Sequence, residues 1–447
     1  MKTVTIRNTL LISFWIILFV LQDWLQQHLE VFQYVDELFA LLIVPMAVLR
    51  FLQKKLKISW TRERILFAIF LIVFWVSGWC GYFVWHYQPF VNAAKDSYVN
   101  IKFFLAAGAS WLMFAYDDPD EEESGRMRQI LWYVVNAVTT VLFVLCLADL
   151  FFGIFDADMR GGLRAVKLFY SVYTVLVGTC VFLCAICLWM YEEKRKMIFI
   201  PLAMLAFIMV STRRVKAMGA LACLVLIFLV VFRNRKKKLS RKVKIFAAVV
   251  VTVAGVAALY QTISYYFLMG TESARAVLTI GAPFIAADHF PFGTGWGTYG
   301  SAFSIEPYSP VYGMYWMAGI WGISQSYSSF VSDTFWPMVL GQCGYFGFAA
   351  LLGALWIFIK KVFALWDYRC DFASTLFLIL YLLISSTSES AFANPVAVPM
   401  AFWIGFVLAS HRKDGEEIRV SIAERRKKRI RSRRQRRMRR RENKSAQ

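Results

Sequence analysis

Long apolar runs separated by short polar connections dominate this chain. A helix that crosses a membrane needs about 20 mainly apolar residues. Twelve runs qualify, at roughly 8–27, 32–52, 64–84, 98–116, 130–154, 168–190, 197–211, 216–232, 245–269, 335–360, 373–388 and 396–411. The second is the weakest, with Asp36 and Glu37 near one end. Arg7 is followed by an apolar run with no small-residue cleavage site, so that run is expected to be a spanning helix and not a cleaved leader. The pattern predicts an all-α polytopic membrane protein, with about twelve transmembrane helices and a long extracytoplasmic loop between helices 9 and 10. Its expected parts are a helical bundle over 1–411, a cap made by the 270–334 loop within it, and a basic tail over 412–447.

Orientation follows from the connections. Gln53 to Arg64 contains Lys54, Lys55, Lys57, Arg62 and Arg64, and Arg233 to Lys244 holds eight basic residues. Tyr191 to Lys196 and Lys360 to Asp371 are also basic. The positive-inside rule places these four loops and both termini in the cytoplasm of a multi-pass plasma- or inner-membrane protein. Asp117 to Arg128 is rich in acids, but the rule counts Lys and Arg, so Arg126 and Arg128 keep it on the same side. The opposite side receives 85–97, 155–167, 211–216, 270–334 and 389–395. The 270–334 loop is long for a helix connection, and such loops are usually functional or disordered. Its wealth of Gly, Tyr and Trp and near lack of Lys and Glu argue for a packed cap.

Composition agrees with the pattern. The 447 residues are 59% hydrophobic, above the level of a soluble protein, and leave no room for a separate soluble catalytic domain. The net charge is +21, but His411 to Gln447 alone carries 17 Lys+Arg against 5 Asp+Glu. That tail fits adhesion to an anionic leaflet, at about 1 kcal/mol per nearby Lys or Arg. Nucleic acid is not an expected partner. Cys184 and Cys187 form a CxxC on an apolar run, where two small apolar residues are the plainer reading than a metal or redox site.

The poorly basic side makes its few cations conspicuous. Ser211-Thr212-Arg213-Arg214-Val215-Lys216 puts three cations in one tight turn. Guanidinium forks suit phosphate oxygens; the alternative is snorkelling to lipid headgroups. Asp156 to Lys167 places Gly161-Gly162 between Arg160 and Arg164. This is either a second anion-binding set or a loop whose arginines pair with Asp156 and Asp158. Asp156-Ala157-Asp158 has the form of a metal motif, but beside arginines no metal is expected. Arg275 is the lone Lys or Arg between Gly270 and Thr334. His289 is a candidate base or proton shuttle, or a structural histidine. Gly293-Thr294-Gly295-Trp296-Gly297 is no dinucleotide fingerprint, since no βαβ unit surrounds it. It reads as a turn needing positive φ or close backbone approach. Asp333 is either a base with a burial-lifted pKa or, with Ser332, a helix N-cap. Tyr308, Tyr312, Tyr315, Trp316, Trp321 and Tyr327 can stack on sugar rings or belt a membrane interface.

These features, in order, resemble bacterial O-antigen polymerases and O-antigen ligases over roughly residues 130–360. The shared marks are a Ser-x-Arg turn (Ser211, Arg213) before a small-residue helix (Gly219, Ala220) and a late long loop opened by Arg275. Pro291-Phe292-Gly293-Thr294-Gly295 follows, then a polar pair before an aromatic-rich helix with Gly344 and Gly347. Many ligases carry His-Asn where this chain has Ser332-Asp333, which favours Asp333 as base and polymerase over ligase. The resemblance implies an inverting, metal-independent glycosyltransferase without a cofactor, whose donor is a glycan on undecaprenyl diphosphate. In that role Arg213, Arg214 and Lys216 would grip diphosphate, and Arg160, Arg164 and Arg275 would hold donor or acceptor. Asp333 or His289 would be the catalytic base. A flippase and a chain-length regulator are the implied protein partners in building a capsule or other exopolysaccharide. Ligase-type transfer to another acceptor, a transporter or flippase of the same lipid-linked glycan, and a scaffold for a synthesis complex are the competing readings.

Overall fold

An apolar run buries its backbone polar groups most economically as a helix, because every N–H and C=O then finds a partner within the segment. The computed structural model follows this logic throughout. It describes residues 2–53, 61–115, 121–232 and 273–411. The helices are α1 (Lys2–His28), α2 (Val35–Gln53), α3 (Arg62–Trp85), α4 (Phe90–Phe114), α5 (Glu121–Phe152), α6 (Tyr173–Trp189), α7 (Tyr191–Lys194) and α8 (Phe199–Ser211). They continue with α9 (Val215–Ile227, extended by a π turn at Phe228–Phe232), α10 (Ala274–Asp288), α11 (Pro310–Met314), α12 (Phe335–Phe363), α13 (Arg369–Ser385) and α14 (Ala397–Ser410). Each expected span that falls on described residues coincides with a helix. The expected ninth span, 245–269, the basic loop 233–244 and the tail 412–447 lie outside the described residues. Among the described residues six helices are long and apolar enough to cross a membrane, and the apolar α6, α8 and α14 are shorter. The protein is therefore a mostly helical, membrane-embedded one.

Two helices are apolar all round, as buried helices must be. α6 is covered by α8, α13 and neighbouring helices, and α14 packs on α4. Their few polar groups are satisfied: Trp403 Nε1 donates to Ser374 Oγ at 3.0 Å, and Ser374 Oγ donates to the Ala185 carbonyl at 2.7 Å. Cys184 and Cys187 are fully buried free thiols of α6. The two acids that weaken the second span find a counter-charge from elsewhere. Lys102 of α4, 1% exposed, pairs with Asp36 and lies 2.6 Å from Glu37 Oε1, while Gln22 of α1 donates to Asp36 at 2.8 Å.

Some boundaries differ from expectation, each for a physical reason. α4 begins at Phe90, not 98, because its polar first turns face the cap instead of water. Asp96 Oδ2 accepts from Gly297 N at 2.8 Å and its Oδ1 from Ser301 Oγ at 2.5 Å. Asn92 Nδ2 donates to the carbonyls of Phe303 and Glu306 at 3.0 and 2.7 Å. α5 is already helical at Glu121, inside a segment expected as a loop. The connection before α6 is longer than expected, reaching Val172, and holds a small β-hairpin.

The cap over 273–334 has its own core, in which Leu278, Ile285, Tyr299, Tyr312 and Ile323 are fully buried. It is also threaded into the bundle. Gly344 breaks α12 with φ +63°, and the segment Gly293–Gly295 enters the gap. There Thr294 N donates to the Gly341 carbonyl at 3.0 Å and Gly295 N to the Gln342 carbonyl at 2.9 Å, replacing the lost helical bonds. On the other side, the Trp296 ring lies over Gly78 of α3, where an added Cβ would sit 2.3 Å from it. Gly293 and Gly295 have φ of +74° and +95°. Both readings of this glycine run, positive φ and close approach, thus hold at the same residues. We call the end of the bundle that carries this cap the cap face.

Candidate functional site

Three connections on the cap face are pinned together. The first is the hairpin of β1 (Met159–Arg160) and β2 (Leu163–Arg164), paired Met159↔Arg164 and Arg160↔Leu163. Its two-residue turn, Gly161-Gly162, has φ +59° and +73°, which a tight hairpin of this kind demands. The second is the turn between α8 and α9. Val166 N donates to the Ser211 carbonyl at 2.9 Å and Arg213 Nε to the Arg164 carbonyl at 3.4 Å, so hairpin and turn form one surface. The third is the segment from Ser386 to Val396. Ser390 donates to the Ser332 carbonyl from N at 3.2 Å and from Oγ at 2.9 Å, tying it to the end of the cap.

On this surface the expected arginines part company. Arg164 turns inward: its Nη2 donates to Asp149 Oδ1 at 2.9 Å and to the Phe155 carbonyl. Asp149 is fully buried, so Arg164 neutralises a carboxylate that water cannot reach. Arg160 and Arg213 are exposed, Arg213 in left-handed backbone at φ +53°. Arg214 lies with its guanidinium 3.9 Å from the centre of the Tyr173 ring and 3.3 Å from Asp158 Oδ2. Its Nε is buried with no hydrogen-bond partner. Burial, and then the charge of Arg160, lower its pKa, against the pull of Tyr173 and Asp158; a guanidinium stays charged at neutral pH regardless. Arg214 is also the N-cap of α9, where no side chain caps the helix. A basic side chain thus stands at the positive end of a helix, a combination suited to an anion.

A second cluster begins two residues on. Lys216 Nζ lies 3.3 Å from Glu389 Oε1 and donates to the Ser388 carbonyl at 3.3 Å. Arg275, in the first turn of α10, donates to Asp333 Oδ2 from Nε at 3.2 Å and from Nη2 at 2.7 Å. The two pairs sense each other. Burial raises the Asp333 pKa, Arg275 and Lys216 lower it, and Glu389 raises it. Asp333 is thus held by a cation and does not act as a helix cap: Thr334 is the N-cap of α12, and no side-chain bond closes it. Glu389 was missing from the sequence reading. Its signal is faint, one carboxylate in the run Ser385-Ser386-Thr387-Ser388-Glu389-Ser390 just past an apolar helix.

His289 is elsewhere. It closes α10, fourteen residues after Arg275, or roughly 20 Å along the helix axis at the usual rise. Its Nδ1 is 2.9 Å from the Ile285 carbonyl and its Nε2 3.2 Å from Tyr87 Oη, with the Trp85 ring centred 4.7 Å away. Both nitrogens are taken, and the ring is 6% exposed. Of the cap aromatics, Tyr312 is buried and bonded to Gly300 N at 2.8 Å, and Tyr308 donates to the Ile323 carbonyl at 2.8 Å. Tyr315 donates to Asp288 at 2.7 Å. Trp321 and Tyr327 stack at 4.8 Å beside Phe330, three residues before Asp333, and Trp316 is 92% exposed.

The fold and site define a helical membrane protein with a capped, cation-rich face. No protein-family model and no curated protein matches the chain.

Proposed function

We propose that the chain polymerises lipid-linked oligosaccharide repeat units into a surface polysaccharide, in the manner of the O-antigen polymerases it resembles. The cap face would be extracytoplasmic, the helices would make about twelve spans, and both termini would be cytoplasmic. The observation that carries this reading is the gathering on one face of Arg160, Arg213 and Arg214, from the interlocked hairpin and turn, with Lys216 and Arg275 in the first turns of α9 and α10. Arg214 brings an unengaged donor to the start of a helix. Diphosphate offers the charge and the oxygens such a surface lacks.

The chemistry follows from the leaving group. An acceptor hydroxyl attacks the anomeric carbon of a sugar on undecaprenyl diphosphate, the new C–O bond forms as the old one breaks, and the lipid diphosphate departs with the electron pair. Guanidinium groups near the departing oxygens stabilise the charge that develops there. Asp333 lies among those cations and is the candidate for the hydroxyl proton. His289, with both ring nitrogens engaged at the far end of α10, is better suited to holding the cap in place. The stacked Trp321 and Tyr327 fit an acceptor ring. The basic tail would rest on anionic lipid, with a flippase and a chain-length regulator as working partners.

A transporter of the same glycan is the second reading, favoured by the buried Lys102–Asp36–Glu37 cluster, since charges within a bundle often mark transport paths. Reconstitution separates the two. Purified protein in liposomes with lipid-linked repeat units is expected to lengthen them without ATP or an ion gradient. Movement of the units across the bilayer with no lengthening would reject the polymerase.

A further inference from the structure

The cations nearest Asp333 are not free to receive a ligand. Arg275 is occupied by Asp333 through two N–H groups, and Lys216 by Glu389. The four charges come from α9, α10, the end of the cap and the segment after α13. Asp333 faces Arg275, Lys216 and Glu389; Glu389 faces Lys216, Asp333 and, from α13, Tyr381. The cluster is balanced, two positive against two negative. A sugar-diphosphate-lipid diester adds two more negative charges. If both carboxylates stayed ionised, each would face the doubly charged diphosphate in a partly buried place after losing its own cation to it. Like charges so confined do not all stay ionised.

Resting on the diphosphate-binding reading above, we propose an exchange of partners on donor binding. The diphosphate takes Lys216 and Arg275, and Asp333 and Glu389 are released as a carboxylate pair that holds one proton between them. The member left ionised accepts the proton of the attacking hydroxyl. The acceptor oxygen bonds to the anomeric carbon, and the bond to the phosphate oxygen breaks with its electrons staying on the diphosphate. Burial already pushes the Asp333 carboxyl up, and Arg275 is the first group opposing that push, so removal of the guanidinium drives it further in the same direction. The base is thus tied down until a donor arrives, and Glu389 shares the catalytic role with Asp333. The hydroxyl of Thr334, the residue after Asp333, is buried and without a hydrogen-bond partner.

The test is a proton count by calorimetry on the full-length protein in detergent. The probe is P1,P2-dimethyl diphosphate, a diester that stays doubly charged across the neutral range and so contributes no protons. Titrations at neutral pH in buffers of different ionisation enthalpy give the protons bound per ligand. Wild type is expected to take up about one proton. Asp333→Asn and Glu389→Gln are each expected to bind the probe with uptake well below that. Binding by wild type without proton uptake would overturn the exchange and leave the diphosphate site standing. Absence of binding by folded wild type would overturn both. The wild-type count decides the matter even if either variant fails to fold.

Discussion

The two ends of α10 each carry a group that the sequence offers for the site, Arg275 for binding and His289 for catalysis, and they are built in opposite ways. At the start, Arg275 is 31% exposed and joined to Asp333, with a second ion pair in electrostatic reach. At the end, His289 is boxed by Trp85, Tyr87 and Tyr315, with both ring nitrogens bonded. The first arrangement can trade one anion for another; the second loses its bonds if it moves. The same contrast divides the arginines of the hairpin and turn. Arg164 is fixed by a buried carboxylate, whereas Arg214 leans on an aromatic face with one donor unengaged. In the second comparison the residue type is the same in both members. What the side chain already holds decides which can serve a substrate.

Substitutions can break that contrast. Asp333→Asn is expected to reduce chain lengthening most, by about 10²–10⁴-fold, the usual worth of a general base. In wild type the acid limb of the pH–rate profile should lie above the ordinary aspartate range, because burial raises this carboxyl. Activity then falls as pH drops through that value, and the limb should move in the variant, where Glu389 alone remains. Next come Arg213→Ala and Arg214→Ala together, with polymer length on gels as the readout and a loss of about 10²–10³-fold. Arg214→Lys should be poor as well, since an ammonium lacks the planar fork. Arg164→Ala should act on stability instead, lowering it by about 3 kcal/mol in denaturation because it strands Asp149. Adding Asp149→Asn should restore much of the loss. His289→Phe should be mildest, about 1–2 kcal/mol of stability for two lost hydrogen bonds, with lengthening by folded protein unchanged. A large loss of activity there would erase the distinction between the two ends of α10.

The bundle was legible because run length alone marks helices, and the turns at Gly161-Gly162 and Gly293–Gly297 because glycine has few other uses there. The start of α4 was not, since Asn92 and Asp96 look like loop residues until the cap that satisfies them is seen. Lys102 reads as a misplaced charge until Asp36 and Glu37 come alongside from 66 and 65 residues earlier. For the same reason the insertion of Gly293–Gly295 between α3 and α12 was hidden: Gly81 and Gly344 are remote in the chain. At the site, the cations were visible from their scarcity on one side. Their partners were not. Asp149 lies inside an apolar run, and Glu389 sits in a short serine-rich connection.

The whole account turns on which side of the membrane the cap face occupies, and a single labelling experiment addresses it. Leu163 is exposed on the hairpin beside the cationic turn, where its backbone pairs with Arg160. With Leu163→Cys in living cells, a membrane-impermeant maleimide should label the protein above the wild-type background before lysis. Labelling only after the cells are opened would put the arginines in the cytoplasm, away from any outward-flipped donor, and contradict the account.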